Sequence, residues 1–139
     1  MAENKMTLQI ISPDRVFYEG EVTMFEMNTT EGEVGIYPGH IPMVTVLKPG
    51  IGVIHEGAQE KRAAIHAGFT EILQDSITVM AEIAEWPDEI DKERALSAKE
   101  RAAKRLSDHK EGLDVARAEA ALRRALTRIE LVERYKLVK

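Results

Sequence analysis

The chain has no cysteine among its 139 residues. Disulfides, thiolate metal sites and cysteine nucleophiles are therefore excluded together. Aromatic residues make up only 5%, so a core has to be assembled from Val, Ile, Leu, Met and Ala. No apolar run approaches the roughly 18 residues that span a bilayer. The opening MAENKMT has no apolar h-region of the secretory kind. A cytoplasmic protein is expected, with any membrane link made through a partner. A GxxxxGK phosphate loop, a GxSxG elbow and an HExxH pair are also missing, and no catalytic constellation stands out. A net charge of −5 argues against general nucleic-acid binding. The four histidines are His40, His55, His66 and His109. None forms an i,i+4 pair and no carboxylate pair frames them, so surface or core roles are expected rather than a metal site.

What is present falls into two halves. Hydrophobic residues make up 44% and charged residues 31%, the balance of a foldable, soluble chain. The character changes across Glu85–Ala95, EWPDEIDKERA. Residues 1–87 carry 13 acidic and 5 basic side chains, and residues 88–139 carry 11 acidic and 14 basic. After Pro87 only Gly112 and no further proline remain. The expected division is a β domain over 1–84, a hinge over 85–90 and a helical hairpin over 91–139.

The first half reads as short strands separated by turns. The runs are Thr7–Ile11, Val16–Tyr18, Glu21–Asn28, Glu33–Tyr37, Met43–Leu47, Gly52–His55, Arg62–His66, Phe69–Leu73 and Ile77–Ala81. Ser12-Pro13-Asp14, Gly20, Gly57 and Gly68 mark intervening turns. Nine or ten such strands point to a β-sandwich or barrel.

The second half reads as two helices. Pro87 followed by Asp88 is a helix-start signal with Asp88 as N-cap. Ala95, Ala98, Ala102 and Leu106 form one stripe, and Ala118, Leu122, Ala125, Ile129 and Val132 another. With a loop at Asp108–Gly112 the two helices make an antiparallel hairpin. An Ala-rich seam buries little apolar area, so the hairpin is marginal and able to open. The same seam can exchange between two copies as a swapped homodimer. Arg94 and Arg101 share a face of the first helix, and Arg124 and Arg128 share one of the second. Folded antiparallel, all four guanidinium groups converge near Asp91. Such a cluster suits a polyphosphate. On spacing alone a solvated face with pairs such as Glu100–Lys104 and Glu130–Arg134 is the simpler account.

Three stretches carry a family resemblance. TTEGEVGIYPGHIPMVTVLKPG (Thr29–Gly50) and AGFTEILQDSITVMAE (Ala67–Glu82) resemble the epsilon subunit of F-type ATP synthases, with Ala67 where many members have Gly or Ser. IDKERA (Ile90–Ala95) is similar to the (I/L)DxxRA motif of bacillus-type members that bind ATP. The resemblance spans nearly the whole chain. It implies a ten-stranded β-sandwich followed by a two-helix hairpin, an α+β protein. It implies a non-catalytic, rotating central-stalk subunit that couples rotation to proton translocation. Its partners are then the gamma subunit and the c-ring, with Glu33 and His40 at the contact loop. The complex places it peripherally at the cytoplasmic face of the cell membrane.

The family's hairpin is permissive when folded. When extended towards the alpha and beta subunits it blocks ATP hydrolysis, and Arg117, Arg123, Arg124 and Arg134 are the candidates to meet acidic beta segments. The resemblance further implies ATP as a regulatory ligand. Glu85, Ile90, Asp91 and Ala95 fall on the adenosine side or the helix start. Arg94, Arg101, Arg124 and Arg128 fall on the phosphates. Magnesium can accompany the nucleotide, though nothing in the sequence demands it. The alternatives are the same subunit without a working nucleotide site, or a free-standing β-sandwich interaction module.

Overall fold

A computed structural model describes residues 4–108 and 112–136. His109 and most of the loop expected at Asp108–Gly112 lie outside them. The described residues form two compact units, one ending at Glu85 and the other beginning at Trp86.

The first unit holds eight strands: β1 (Met6–Ser12), β2 (Arg15–Val22), β3 (Met24–Thr29), β4 (Gly32–Ile36), β5 (Met43–Val46), β6 (Gly50–Glu56), β7 (Gln59–Ile72) and β8 (Ser76–Glu85). They are hydrogen-bonded in the order β2-β1-β8-β7-β6-β3-β4, with β5 added alongside β7. β1 lies parallel to β8, and the other pairings are antiparallel. The sheet curls over itself. Thr29, at the end of β3, bridges to Leu47 just past β5, and Thr30 N–H donates to the Val46 carbonyl at 3.0 Å. The result is a β-sandwich.

Its interior follows from alternation. Met6, Leu8, Ile10 and Ser12 of β1 point inward at every second position, as the pleat requires. Leu8, Ile10, Val22, Phe25, Ile54, Ile72 and Val79 are completely buried. Each contributes about 1.5–3 kcal/mol of transfer free energy. Tyr18 of β2 donates its hydroxyl to the Glu56 carboxylate of β6. Burial, and then this bond, raise the phenol above its ordinary range. The same bond holds Glu56 below the usual carboxylate range.

Eight strands replace the expected ten, and two of the expected boundaries fall elsewhere. Gly20 does not end a strand: β2 runs through it, and the break falls at Thr23. Nor is Gly68 a turn. The runs Arg62–His66 and Phe69–Leu73 are both drawn into one long strand, β7, with Leu73 just past its end. Ala67 and Gly68 take positive φ values of 56° and 107°. This kink re-aims β7, which pairs with β6 through residues 59–65 and with β5 through residues 69–72. A Cβ on Gly68 would sit 2.0 Å from the Met80 carbonyl oxygen. The glycine is there for close approach to β8.

The second unit opens with a 3-10 turn, Pro87–Glu89. Helix α1 (Lys92–Asp108), helix α2 (Val115–Leu131) and a π-helical turn, Val132–Lys136, follow. Both helices are rich in good helix formers. Asp88 lies inside the 3-10 turn, and the N-cap of α1 is Asp91, whose Oδ1 accepts Arg94 N–H at 3.1 Å. The expected Asp88 cap is displaced because the proline starts a separate short turn. Asp114 caps α2 in the same way, accepting Arg117 N–H at 3.0 Å. No described helix is long and apolar enough to cross a membrane.

Two substitutions test this account. Ala67 is a non-glycine residue in left-handed space, which costs about 1–2 kcal/mol. Ala67→Gly is expected to raise the denaturant midpoint by up to about 1 kcal/mol of stability; a lowered midpoint contradicts the strain. Thr70 is fully buried, and its hydroxyl has no hydrogen-bond partner among the described residues. Thr70→Val is therefore expected to be neutral or stabilising by about 1 kcal/mol; a clear loss of stability contradicts it.

Candidate functional site

The segment Ile90–Ala95 is built from local constraints. Glu89 Oε1 accepts Trp86 N–H at 2.8 Å, closing the 3-10 turn. Ile90 N–H returns to the Pro87 carbonyl, and the Ile90 side chain is buried. Asp91 caps α1 with its side chain, and its carbonyl accepts Ala95 N–H at 3.0 Å. Ala95 is buried in the helix seam. Three of the four motif positions thus have structural tasks: anchor, cap and seam. Arg94 stands apart, with its side chain on exposed surface.

The helices pair antiparallel. Lys92 Nζ lies 3.7 Å from Glu133 Oε1, tying the start of α1 to the turn after α2. Nine residues inward from that tether along each chain, Arg101 comes level with Arg124. Arg94 and Arg128 then lie between this level and the tether. Ala95 and Ala102 of α1 and Ala118 and Ala125 of α2 are buried. Arg94, Arg101 and Arg124 each immediately precede one of these alanines. In an antiparallel pair, an equal angular offset from the seam puts residues on the same side. The three arginines therefore share one flank, and Arg128, three residues after Ala125, lies between Arg124 and the seam. Arg124 and Arg128 are half-buried, since buried Thr127 and Leu131 lie beyond them.

The remaining arginines separate from this set. Arg117 precedes Ala118 and so shares the flank, but it lies at the loop end of the hairpin. Arg123 and Arg134 are exposed and point away from the seam. Arg134 makes the i,i+4 pair expected with Glu130, at 3.6 Å. Glu85 ends β8 in the first unit, with its Oε1 3.2 Å from the Nε2 of buried His66. His55 of β6 likewise meets carboxylates, Glu26 at 2.6 Å and Glu60 at 3.5 Å.

The other candidate contacts lie on the sandwich. Glu33 is exposed on β4, an edge strand. His40 follows the Pro38-Gly39 turn, with its Nδ1 2.7 Å from the Ile41 carbonyl. Gly39 N–H donates to the Gln74 carbonyl and pins this loop to the β7–β8 turn. Around it the structure reveals a surface that was not expected from the sequence. Tyr37, Ile41, Val44 and Val46 are 54–79% exposed. From Val46, cross-strand pairs run through Phe69, Met80 and Ile11 to Val16. Contiguous exposed apolar surface of this kind marks an interaction site. The available signal was β5, MVTV, which is apolar at three of four positions and so lacks the polar alternation of a solvated strand.

These features define a two-unit protein: a sandwich with an exposed apolar face, and a helical arm with an arginine-lined flank. Comparison with known proteins makes the class specific. Residues 5–87 match the family described as ATP synthase, Delta/Epsilon chain, beta-sandwich domain. Residues 88–133 match ATP synthase, Delta/Epsilon chain, long alpha-helix domain. The chain belongs to the ATP synthase delta/epsilon chain family. It is 45% identical over 128 residues to the ATP synthase epsilon chain of Halalkalibacterium halodurans, covering 91% of this chain and 96% of that one. It is 42% identical to the epsilon chain of Caldanaerobacter subterraneus subsp. tengcongensis, covering 92% and 94%. Among solved structures, a chain of the Euglena gracilis mitochondrial ATP synthase (OSCP/F1/c-ring) is similar with a TM-score of 0.79 at 25% identity, covering 94% of this chain and 80% of that one. A chain of the Tetrahymena thermophila ATP synthase central stalk/c-ring shares the fold, with a TM-score of 0.55 at 14% identity and coverage of 96% and 97%.

The cap assignment is testable. Asn caps as well as Asp, whereas Ala loses about 1 kcal/mol. Asp91→Ala is expected to lower hairpin stability by about that amount and Asp91→Asn to leave it unchanged. Equal losses in both variants, read by helical circular dichroism on heating, contradict a purely capping role.

Proposed function

We propose that this chain is a regulatory central-stalk subunit whose hairpin is held closed by bound ATP. The observation that carries this reading is the placement of Arg94, Arg101, Arg124 and Arg128 on one flank of the antiparallel pair, beside an I-D-x-x-R-A helix start. Four guanidinium groups gathered on one flank repel one another and weaken the closed hairpin. A polyphosphate reverses the sign of that term, and the guanidinium fork suits its oxygens. Ile90, Asp91 and Ala95 shape the helix start. Magnesium accompanies the phosphates where the solution supplies it.

Closure then follows mass action. ATP stabilises the folded arm by RT ln(1 + [ATP]/Kd), about 2.7 kcal/mol at a hundredfold excess over Kd. At low ATP the arm opens, extends towards the alpha and beta subunits and restrains hydrolysis. Arg117, Arg123, Arg124 and Arg134 supply the positive charge for that encounter. The sandwich meets the gamma subunit and the c-ring through the Glu33–His40 loop and the apolar face beside it, coupling rotation to proton movement at the cytoplasmic face of the membrane. The flank offers donors and cations, the chemistry of a holder, in keeping with a regulatory rather than a catalytic subunit.

Calorimetric titration of the isolated chain with ATP tests the reading. One saturable site is expected, with weaker binding of ADP. Arg94→Ala is expected to bind at least about tenfold more weakly, the worth of a hydrogen bond to a charged group. Unchanged affinity in Arg94→Ala overturns the phosphate assignment. Absence of binding at millimolar ATP overturns the sensor.

A further inference from the structure

With no cysteine in the chain, its sulfur chemistry rests on methionine, and the described methionines differ sharply in access. Met6 and Met27 are 3% and 2% exposed, inside the sandwich. Met24 is half-buried, with its methyl group over Gly35. Met43 and Met80 are 43% and 39% exposed. These last two are not placed alike. Met43 of β5 pairs with Ile72, which is completely buried, and so belongs to the inner face at the sheet margin. Met80 of β8 pairs with exposed Phe69 on β7 and with Ile11 on β1. Directly opposed residues share a face, so Met80 belongs to the outer one. Phe69 pairs in turn with Val46, and Ile11 with Val16. Met80 is thus the middle member of the exposed apolar row, with two strands on either side. Its neighbours in the row are apolar and offer no hydrogen-bond donor.

We infer that Met80 is a peroxide-sensitive modification site whose sulfoxide weakens docking of the apolar face. The inference rests on the reading of that face as the surface that meets the gamma subunit. The thioether sulfur gives an electron pair to one oxygen of hydrogen peroxide. The O–O bond breaks, a sulfur–oxygen bond forms, and the second oxygen takes a proton and leaves as water. The sulfur is oxidised by two electrons and the peroxide reduced. A flexible apolar side chain becomes a polar one, and the change is reversible by methionine sulfoxide reductases. A sulfoxide at the middle of the row has to be desolvated on docking without a partner from its apolar neighbours, which opposes association. A docked face shields the same sulfur, so the free chain is the form that reacts.

Limited hydrogen peroxide treatment, mapped by peptide mass spectrometry and followed by binding to a core of alpha, beta and gamma subunits, tests this. Met43 and Met80 are expected to become sulfoxides while Met6 and Met27 stay reduced. The treated wild-type chain is expected to bind the core about tenfold more weakly than the untreated one, with its denaturant midpoint unchanged. Each variant is read against its own untreated affinity. Met80→Leu is expected to lose less than about twofold on treatment, the scale of a surface change away from the contact. Met43→Leu is expected to lose as much as wild type. Undiminished binding by the treated wild type overturns the inference. So does an equal loss in treated Met80→Leu, or a fallen midpoint, which reports damage to the fold. Val46→Asp, in the same row, probes the underlying reading. If it binds the core as wild type does, the row is not the docking surface and the inference falls with that reading. Weakened binding of Val46→Asp beside a peroxide-indifferent wild type removes the inference alone.

Discussion

The pairing of α1 with α2 closes on Ala95, Ala102, Ala118 and Ala125, and much of the chain's behaviour depends on that choice of residue. Alanine lets two helices approach closely and loses no side-chain entropy, but it removes little apolar surface from water. Larger aliphatic residues at these positions would make a hairpin too stable to respond to a ligand present or absent by a few kcal/mol. With alanine, the charge on the flank becomes decisive. On the proposed reading, Arg94, Arg101, Arg124 and Arg128 then act as a bias on the equilibrium between paired and separated helices, and an anion changes its sign.

The sandwich follows a contrasting design. Its interior is filled by large aliphatic residues with Phe25 and Met27, and its longest strand, β7, spans two pairing environments by bending at Ala67-Gly68. A body of this kind does not open when a ligand leaves. It offers instead a fixed apolar face, from Tyr37 and Ile41 across to Val16, and a fixed buried partner, His66, for the last residue before the arm. The proposed function divides the work accordingly, with rigidity in the β unit and responsiveness in the helical one.

Much of this was legible in the sequence. Compositional change marked where strands give way to helices, and the alanine stripes gave the helix seam to within a turn. Two local signals misled for physical reasons. Gly68 looks like a turn residue because turns and tight backbone approaches ask for the same lack of a Cβ, and only the Met80 carbonyl on the neighbouring strand distinguishes them. Asp88 looks like an N-cap because it follows Pro87, yet the proline begins a 3-10 turn and the helix waits for Asp91. The runs Arg62–His66 and Phe69–Leu73 became one strand because a kinked strand is still one strand to its hydrogen-bonded neighbours. The His66–Glu85 contact was not legible at all, since nineteen positions separate residues that only the β7–β8 register brings together.

The central claim is that ATP acts on the equilibrium between paired and separated helices. Backbone hydrogen exchange across α1 and α2, with and without saturating ATP, addresses it most directly. The account predicts that ATP slows exchange throughout both helices together, following binding saturation, while the buried strands of the sandwich keep their rates. Identical helix exchange with and without bound ATP would show that the nucleotide occupies the arm without holding it closed, and would contradict the account.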